Sequence, residues 1–373
     1  MSVVVVGASS AGLLAAERLA RAGEDVQVFE QAERLAPAPR TLSVTGELTR
    51  ALGFTPAPAI LNRVQRFELR SNGTLARLEL AQPDLVIERA ELLRLLAARA
   101  ERAGARVRLG YRFARFERDG ARTLAVLRQR GSDREERVAA RAVIGADGAP
   151  SAIAAALGQP PRPSTSVIQA RVALPPDLDP ALCRVWFAPR ETRYFYWLIP
   201  EGGGTAAVGL VDDDARAARP KLDRFLARQG LAPLEYQAAR APLYAPRAAT
   251  QGQVGRVRVY LVGDAAAQIK VTTVGGTVSG LLGAAAAARA VLRDGGYHRE
   301  LRPLTRELTL HWLIRALWNR FGEEDYSTLL STLNRRVAAV LQACPRDRWT
   351  AALWPLLAAR PQIVALAARA ARG

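Results

Sequence analysis

The chain has 373 residues, 49% of them hydrophobic, which is enough for a sizeable core and more than one domain. No apolar run reaches the ~18 residues that cross a bilayer, and two histidines and two distant cysteines argue against a metal centre, a His-centred triad or a disulfide framework. The net charge of +18 is nearly all arginine, and without any nucleic-acid motif it fits an arginine-rich surface or anionic partners such as lipid headgroups or a diphosphate, not nucleic acid.

Residues 3–6 are a β-branched run typical of a strand buried on both faces. The opening MSVVVV lacks a basic leader, and a glycine turn and an amphipathic helix follow at once, so it reads as a first strand and not a signal peptide. A helix over 11–22 stops at Gly23, and a second strand, 26–29, ends at Glu30. Residues 37–39 form a loop, and 45–52 form a short helix closed by Gly53. Strands 64–70 and 74–80 flank Ser71-Asn72-Gly73, a hairpin signal. A short strand at 86–88 precedes a helix over 89–103, with Leu92, Leu93, Leu95 and Leu96 at helical spacing. Stretches 105–118, 122–130 and 136–140 read as an antiparallel meander, and a separate strand, 141–144, leads into Gly145-Ala146-Asp147-Gly148.

From 164 to 244 the chain is strand-rich and aromatic, with one helix near 221–229: an inserted sheet domain. From 297 onward it is helical, and Leu310, Leu313, Ile314, Leu317, Trp318 and Phe321 form an apolar stripe with Arg315 and Arg320 between them. That tail packs on the sheet domain, caps a substrate tunnel or lies on a membrane.

Three segments carry the chemistry. Gly7, Ser9 and Gly12 fill the glycine places of a dinucleotide turn, with Ser10 and Ala11 at the tip of the helix whose N–H groups and dipole favour phosphate. Glu30 follows Gly12 by 18 residues, the distance of a ribose-binding acid, and it disfavours a 2′-phosphate. The late segment 260–276, YLVGDAAAQIKVTTVGG, ends a strand at Gly263-Asp264 and opens the next helix with Gly275-Gly276. Two cofactor-facing elements so far apart favour a flavin over a nicotinamide.

These segments, with VIGADGAPS between them, resemble the FAD-dependent family of aromatic hydroxylases, flavin halogenases, lycopene cyclases and geranylgeranyl reductases. The stretch GDAAAQIKVTTVGG and the aromatic stretch 195–200, Phe-Tyr-Trp-Leu-Ile-Pro, resemble the geranylgeranyl reductase branch most. The resemblance implies an α/β fold: a Rossmann-like FAD-binding domain (1–62, 84–160 and 255–295), an antiparallel sheet substrate domain (63–83 and 161–254) and C-terminal helices (296–373). It implies FAD held by Gly7, Ser9, Ser10, Ala11, Gly12, Glu30, Gln31, Arg40, Thr41, Arg89, Asp147, Gly148, Gly263, Asp264, Gly275 and Gly276. Gly275-Gly276 would meet the flavin ring, and Asp264 the ribityl chain or pyrophosphate.

In a strand, Phe195, Trp197 and Ile199 point one way and Tyr194 and Tyr196 the other, so Phe195, Trp197, Ile199 and Pro200 are expected to line an apolar slot beside the flavin. Tyr194, Tyr196 and Trp197 are the catalytic candidates, with either tyrosine hydroxyl as proton donor. The expected reaction is reduction of carbon–carbon double bonds in an isoprenoid lipid, with NAD(P)H or a ferredoxin-like protein as electron donor. The setting is cytoplasmic with a peripheral membrane contact, as monomer or dimer. A flavin monooxygenase of an aromatic or polycyclic substrate and a non-catalytic flavin- or lipid-binding protein are the alternatives. A halogenase fits less well, because no lysine precedes Lys221 and Phe195 stands where that class has a tryptophan. Ser9, Ala267 (for glycine), Val271 (for proline) and the lack of cysteine in 31–60 depart from the reductase pattern.

Overall fold

The computed structural model describes residues 1–360 except 36, 37 and 121; Pro37 of the 37–39 loop and residues 361–373 of the helical tail lie outside the described residues. The chain begins β1 (Ser2–Val6), α1 (Ser10–Arg21), β2 (Val26–Glu30), β3 (Thr41–Val44) and α2 (Glu47–Leu52). It continues as β4 (Ile60–Ser71), β5 (Thr74–Glu88), α3 (Arg89–Arg102), β6 (Arg106–Leu109), β7 (Tyr111–Asp119), β8 (Arg122–Gln129), β9 (Glu135–Gly145) and α4 (Ala152–Ala156). Then come β10 (Ser164–Ala173), β11 (Leu182–Trp186), β12 (Tyr196–Gly202), β13 (Thr205–Asp212), α5 (Ala215–Arg228), β14 (Pro233–Pro242), β15 (Gln251–Val254) and β16 (Val257–Leu261). Helices α6 (Thr277–Leu292), α7 (Tyr297–Trp318), α8 (Glu323–Ser331), α9 (Arg335–Ala343) and α10 (Trp349–Ala359) complete it.

The first sheet runs β15-β16-β9-β1-β2-β6. Its central pairings are parallel, and every residue of β1 is buried, as the two covered faces require. One face packs on α1, α3, α6 and α7 through Leu13, Leu14, Leu96, Leu281 and Leu308. The other is covered by α4 and by β7–β8 through Phe113, Leu127 and Ile153. All strand tips that carry the glycine turns point to one edge, which is where an open α/β sheet binds ligands.

The second sheet runs β14-β10-β13-β12-β11-β4-β5-β3 and is antiparallel except at β11–β4. Helix α5 packs on one face, where Phe225 and Leu222 meet Tyr196 and Leu198. The opposite face carries Tyr194, Trp197 and Val211, and Val274 from the loop before α6 reaches across to pack there. This contact brings the late flavin-type loop to the aromatic stretch.

Several expected boundaries move. Residues 136–140 and 141–144 are one strand, β9: its first half pairs with β8 and its second half with β1, so one strand serves a meander and a parallel sheet. The 105–118 stretch breaks at Gly110, whose φ of 78° turns the chain between β6 and β7. Residues 86–88 continue β5 across a register shift. The second sheet also takes in 41–44 and all of 60–88, more of the early chain than expected. In α7 the buried stripe is Leu301, Leu304, Leu308, His311 and Arg315, whereas Leu313 is 54% exposed. The apolar stripe at 310–317 has the right period but is rotated from the face that packs, which also buries the polar residues Glu307, His311 and Arg315.

Candidate active site

The turn after β1 is built by exclusion. Gly7 has φ of 100°, and a Cβ there would lie 2.3 Å from the Ala146 carbonyl oxygen. A Cβ on Gly12 would lie 2.2 Å from the Gly7 carbonyl oxygen. Ser9 caps α1, its hydroxyl accepting from the Gly12 N–H at 3.2 Å. The Ser10 and Ala11 N–H groups stay at the helix tip, where the dipole is positive. At the end of β2, the Glu30 carboxylate accepts from the Ala8 N–H (2.8 Å) and the Ala32 N–H (2.9 Å), which fixes the turn beside it.

The second turn follows β9. Asp147 accepts from the Ser151 hydroxyl (2.7 Å) and the Ile153 N–H (3.1 Å), and Ser151 in turn caps α4. Burial pushes the Asp147 carboxyl above the ordinary carboxylate range, and these hydrogen bonds pull it partly back. Asp147 therefore organises this loop through its side chain, and Gly148 follows at φ 76°.

The third turn follows β16. Gly263 opens a 3-10 turn through Ala266, and its N–H donates to the Gln268 side-chain oxygen at 2.8 Å. Gly276 is the N-cap of α6; a Cβ there would lie 2.8 Å from Ile269 Cγ1 and 3.4 Å from Asp264 Oδ1. The Asp264 carboxylate thus sits at the positive end of α6. Its side chain is reachable by solvent yet walled by protein. That crowding raises its pKa, while Arg89 and then Arg40 act to lower it. Burial likewise lowers the Arg40 pKa, with Arg89 the next cause. Three residues far apart in sequence, Arg40, Arg89 and Asp264, therefore share one electrostatic neighbourhood.

A family of FAD-binding domains matches residues 1–289. A digeranylgeranylglycerophospholipid reductase 2 of Methanopyrus kandleri is 30% identical over 333 residues, which is 78% of this chain and 78% of that protein. The chain belongs to the FAD-dependent geranylgeranyl reductase family. A digeranylgeranylglycerophospholipid reductase of Methanocaldococcus jannaschii is 26% identical over 90% of this chain and 85% of that protein. The fold is shared with a geranylgeranyl bacteriochlorophyll reductase-like protein of Thermoplasma acidophilum, at TM-score 0.80 and 20% identity over 99% of this chain and 98% of that one. As a member of this family the protein is an FAD-dependent oxidoreductase.

The geometry suits that cofactor. Gly7 and Gly12 make the dinucleotide turn, the tip of α1 offers N–H groups to a pyrophosphate, and Gly275 leaves an open backbone before α6. A methyl on Gly275 would meet nothing closer than 3.5 Å and its φ is ordinary, so nothing internal demands glycine there.

Some expected roles change. The Thr41 hydroxyl donates to Glu201, which also takes Arg171 (3.0 Å) and Thr205 (3.0 Å); Thr41 is locked inside the second sheet and does not join the Arg40–Arg89–Asp264 group. Tyr196 is fully buried, stacks on Phe225 at 4.3 Å beneath α5 and donates to Glu191 at 2.6 Å, so it faces away from the slot. Tyr194 lies on the same side as Trp197, against the strict alternation, because β12 begins only at Tyr196 and the residues before it turn. Phe195 and Ile199 pack partly on this cluster, while Pro200 is buried in β12. Gln31 is exposed just past β2.

Two residues escaped the sequence reading. Glu88 accepts from the Arg40 N–H (2.9 Å) and caps α3 at the Glu91 N–H (2.9 Å), so it sets both arginines of the site. An acid immediately before a helical run was its available signal. Lys270 is buried and pairs with Asp347 at 2.6 Å, and no local pattern announces a partner so far along the chain.

Proposed function

We propose that this oxidoreductase reduces carbon–carbon double bonds of an isoprenoid lipid on the Tyr194–Trp197 face. The single observation behind this reading is the packing of Val274, from the late glycine loop, against Tyr194 and Trp197, which sets an apolar aromatic wall beside the loop assigned to the flavin ring. FAD bound in its reduced form would supply the hydride for one alkene carbon. The Tyr194 hydroxyl delivers the proton to the other. Burial, the largest cause, pushes its pKa up to about 12, so the phenol holds its proton at neutral pH. Trp197 and its neighbours orient the chain and exclude water. FAD would be held by the other residues named for it above, Thr41 excepted. Electrons come from NAD(P)H or a ferredoxin-like protein. The arginine-rich surface makes a peripheral contact with anionic lipid.

Photoreduced protein is mixed anaerobically with geranylgeranyl lipids, and return of the oxidised-flavin absorbance is followed. Tyr194→Phe is expected to slow it by ~10²-fold, the scale of a general acid. Tyr196→Phe is expected to leave the rate intact and cost about 1 kcal/mol of stability through its lost hydrogen bond. No reoxidation by any prenyl lipid sinks the reading, and NAD(P)H oxidation coupled to oxygen with a hydroxylated product selects a monooxygenase instead.

A further inference from the structure

Arg315 is the only arginine buried among the described residues, at 5% exposure. Its guanidinium is held between rings, 4.9 Å from the Tyr194 centroid and 5.4 Å from that of Trp318. Nη2 donates to the Tyr326 hydroxyl at 3.3 Å. Nε and Nη1 have no acceptor, and among the described residues no carboxylate forms an ion pair with it. Buried charges are normally paired, because an uncompensated one costs several kcal/mol. The other buried cation, Lys270, obeys that rule through Asp347. Asp213 meets the Tyr194 hydroxyl but makes no ion pair with Arg315.

A second orphan donor belongs to the same aromatic cluster. The Trp197 Nε1–H is buried and has no acceptor, although the residue is only 7% exposed. Trp197 and Arg315 both pack on Tyr194. Ring faces stabilise the guanidinium as a cation but offer its edge N–H groups no oxygen. An arginine fork matches phosphate oxygens with two parallel bonds.

The geometry points to a subsite for a phosphate-type anion at Arg315 and Trp197 Nε1, which anchors the diphosphate or phosphoester head of the substrate at the helical end of the aromatic slot. Val274, from the loop assigned to the flavin ring, and Arg315, from α7, both pack on this aromatic cluster. This rests on the prenyl-lipid reading and assigns it a polar anchor.

FAD-loaded protein is titrated with geranylgeranyl diphosphate, geranylgeraniol and inorganic pyrophosphate, following tryptophan fluorescence. Wild type is expected to bind the diphosphate at least tenfold more tightly than the alcohol. Arg315→Met should lose that preference and keep its affinity for the alcohol; Arg315→Lys should keep part of it, and Trp197→Phe should lower it. Equal wild-type affinity for the two prenyl compounds, or a preference that survives Arg315→Met, overturns the subsite. Should Arg315→Met not hold FAD, the wild-type preference and the Arg315→Lys variant decide. If no prenyl compound binds but pyrophosphate does so in an Arg315-dependent way, the prenyl reading fails and the anion subsite stands. If pyrophosphate is ignored as well, both fall.

Discussion

Glycines around the cofactor loops sort by what they avoid. At Gly7 and Gly276 a Cβ would strike the chain itself, at 2.3 and 2.8 Å, so those positions are explained by packing alone. At Gly275 the chain leaves room and the backbone needs no left-handed φ, so a bulk limit there must come from a ligand. Gly275→Val is therefore expected to fold within about 1 kcal/mol of wild type and to bind FAD at least tenfold more weakly. Thermal unfolding of the FAD-free protein together with fluorescence titration checks this, and normal FAD affinity would move the flavin away from that backbone. The same loop explains one departure from the family pattern. Ala267 takes φ of 50°, the region glycine enters freely, at a cost on the order of 1–2 kcal/mol for a residue with a Cβ. Val274 stands at φ 52°, a sharper outlier for a β-branched residue, and is held there by Tyr194 and Trp197.

At the scale of elements, the loop before α6 is strapped to the C-terminal helices from below. Lys270 pairs with Asp347, whose other oxygen takes the Thr45 hydroxyl at 2.5 Å. Thr272 meets His311 Nδ1 at 2.5 Å, and His311 Nε2 lies 3.1 Å from the Arg346 carbonyl oxygen and 3.3 Å from Glu307. Glu307 also caps the start of α10 through Thr350. His311 is fully buried, and that burial lowers its pKa from 6.5, outweighing Glu307. The unfolded chain therefore binds this proton below about pH 6.5 when the fold does not, and stability falls as pH drops through that value, by up to about 1.4 kcal/mol per unit. Asp84, Asp147 and Asp264 have raised pKa values and act in the opposite sense. The readout is accordingly a difference: urea midpoints at pH 7.5 and 5.5 should separate more for wild type than for His311→Gln. Equal separation would show that His311 protonates in place.

That strap also marks where reading the sequence stops. Turns and strand ends are local: Gly7–Gly12, Asp147–Gly148 and Gly263–Asp264 announce themselves by residue type and order, and the fold class follows from them. Thr45 and Asp347 lie 302 positions apart, and Arg315 meets Tyr194 across two elements, so no period or motif encodes either contact. Strict alternation puts Tyr194 on the wrong side, because it extends back past the start of a strand that begins only at Tyr196.

For the whole molecule the excess of positive charge can be weighed beside the exposed apolar side chains of the C-terminal helices. No helix among the described residues is long and apolar enough to cross a membrane. Yet Trp312 (40%), Leu313 (54%) and Trp354 (75%) on α7 and α10 are exposed, and Arg335 and Arg336 of α9 and Arg348 just before α10 are exposed as well. Attraction of such a surface to anionic headgroups acts within a Debye length, about 8 Å at 0.15 M salt, and contributes roughly 1 kcal/mol per basic residue close to the membrane. Insertion of an indole or a leucine side chain does not depend on salt in that way. Binding should therefore have two separable parts. Vesicles containing phosphatidylglycerol are expected to co-sediment with the protein at low salt, and vesicles of phosphatidylcholine alone far less. Raising salt to about 0.5 M, where the Debye length falls to about 4 Å, should leave a residual fraction, and Trp354→Ala should reduce that residual without altering binding at low salt. Equal binding to neutral and anionic vesicles would remove the charge from the account, and a residual indifferent to Trp354→Ala would remove α10.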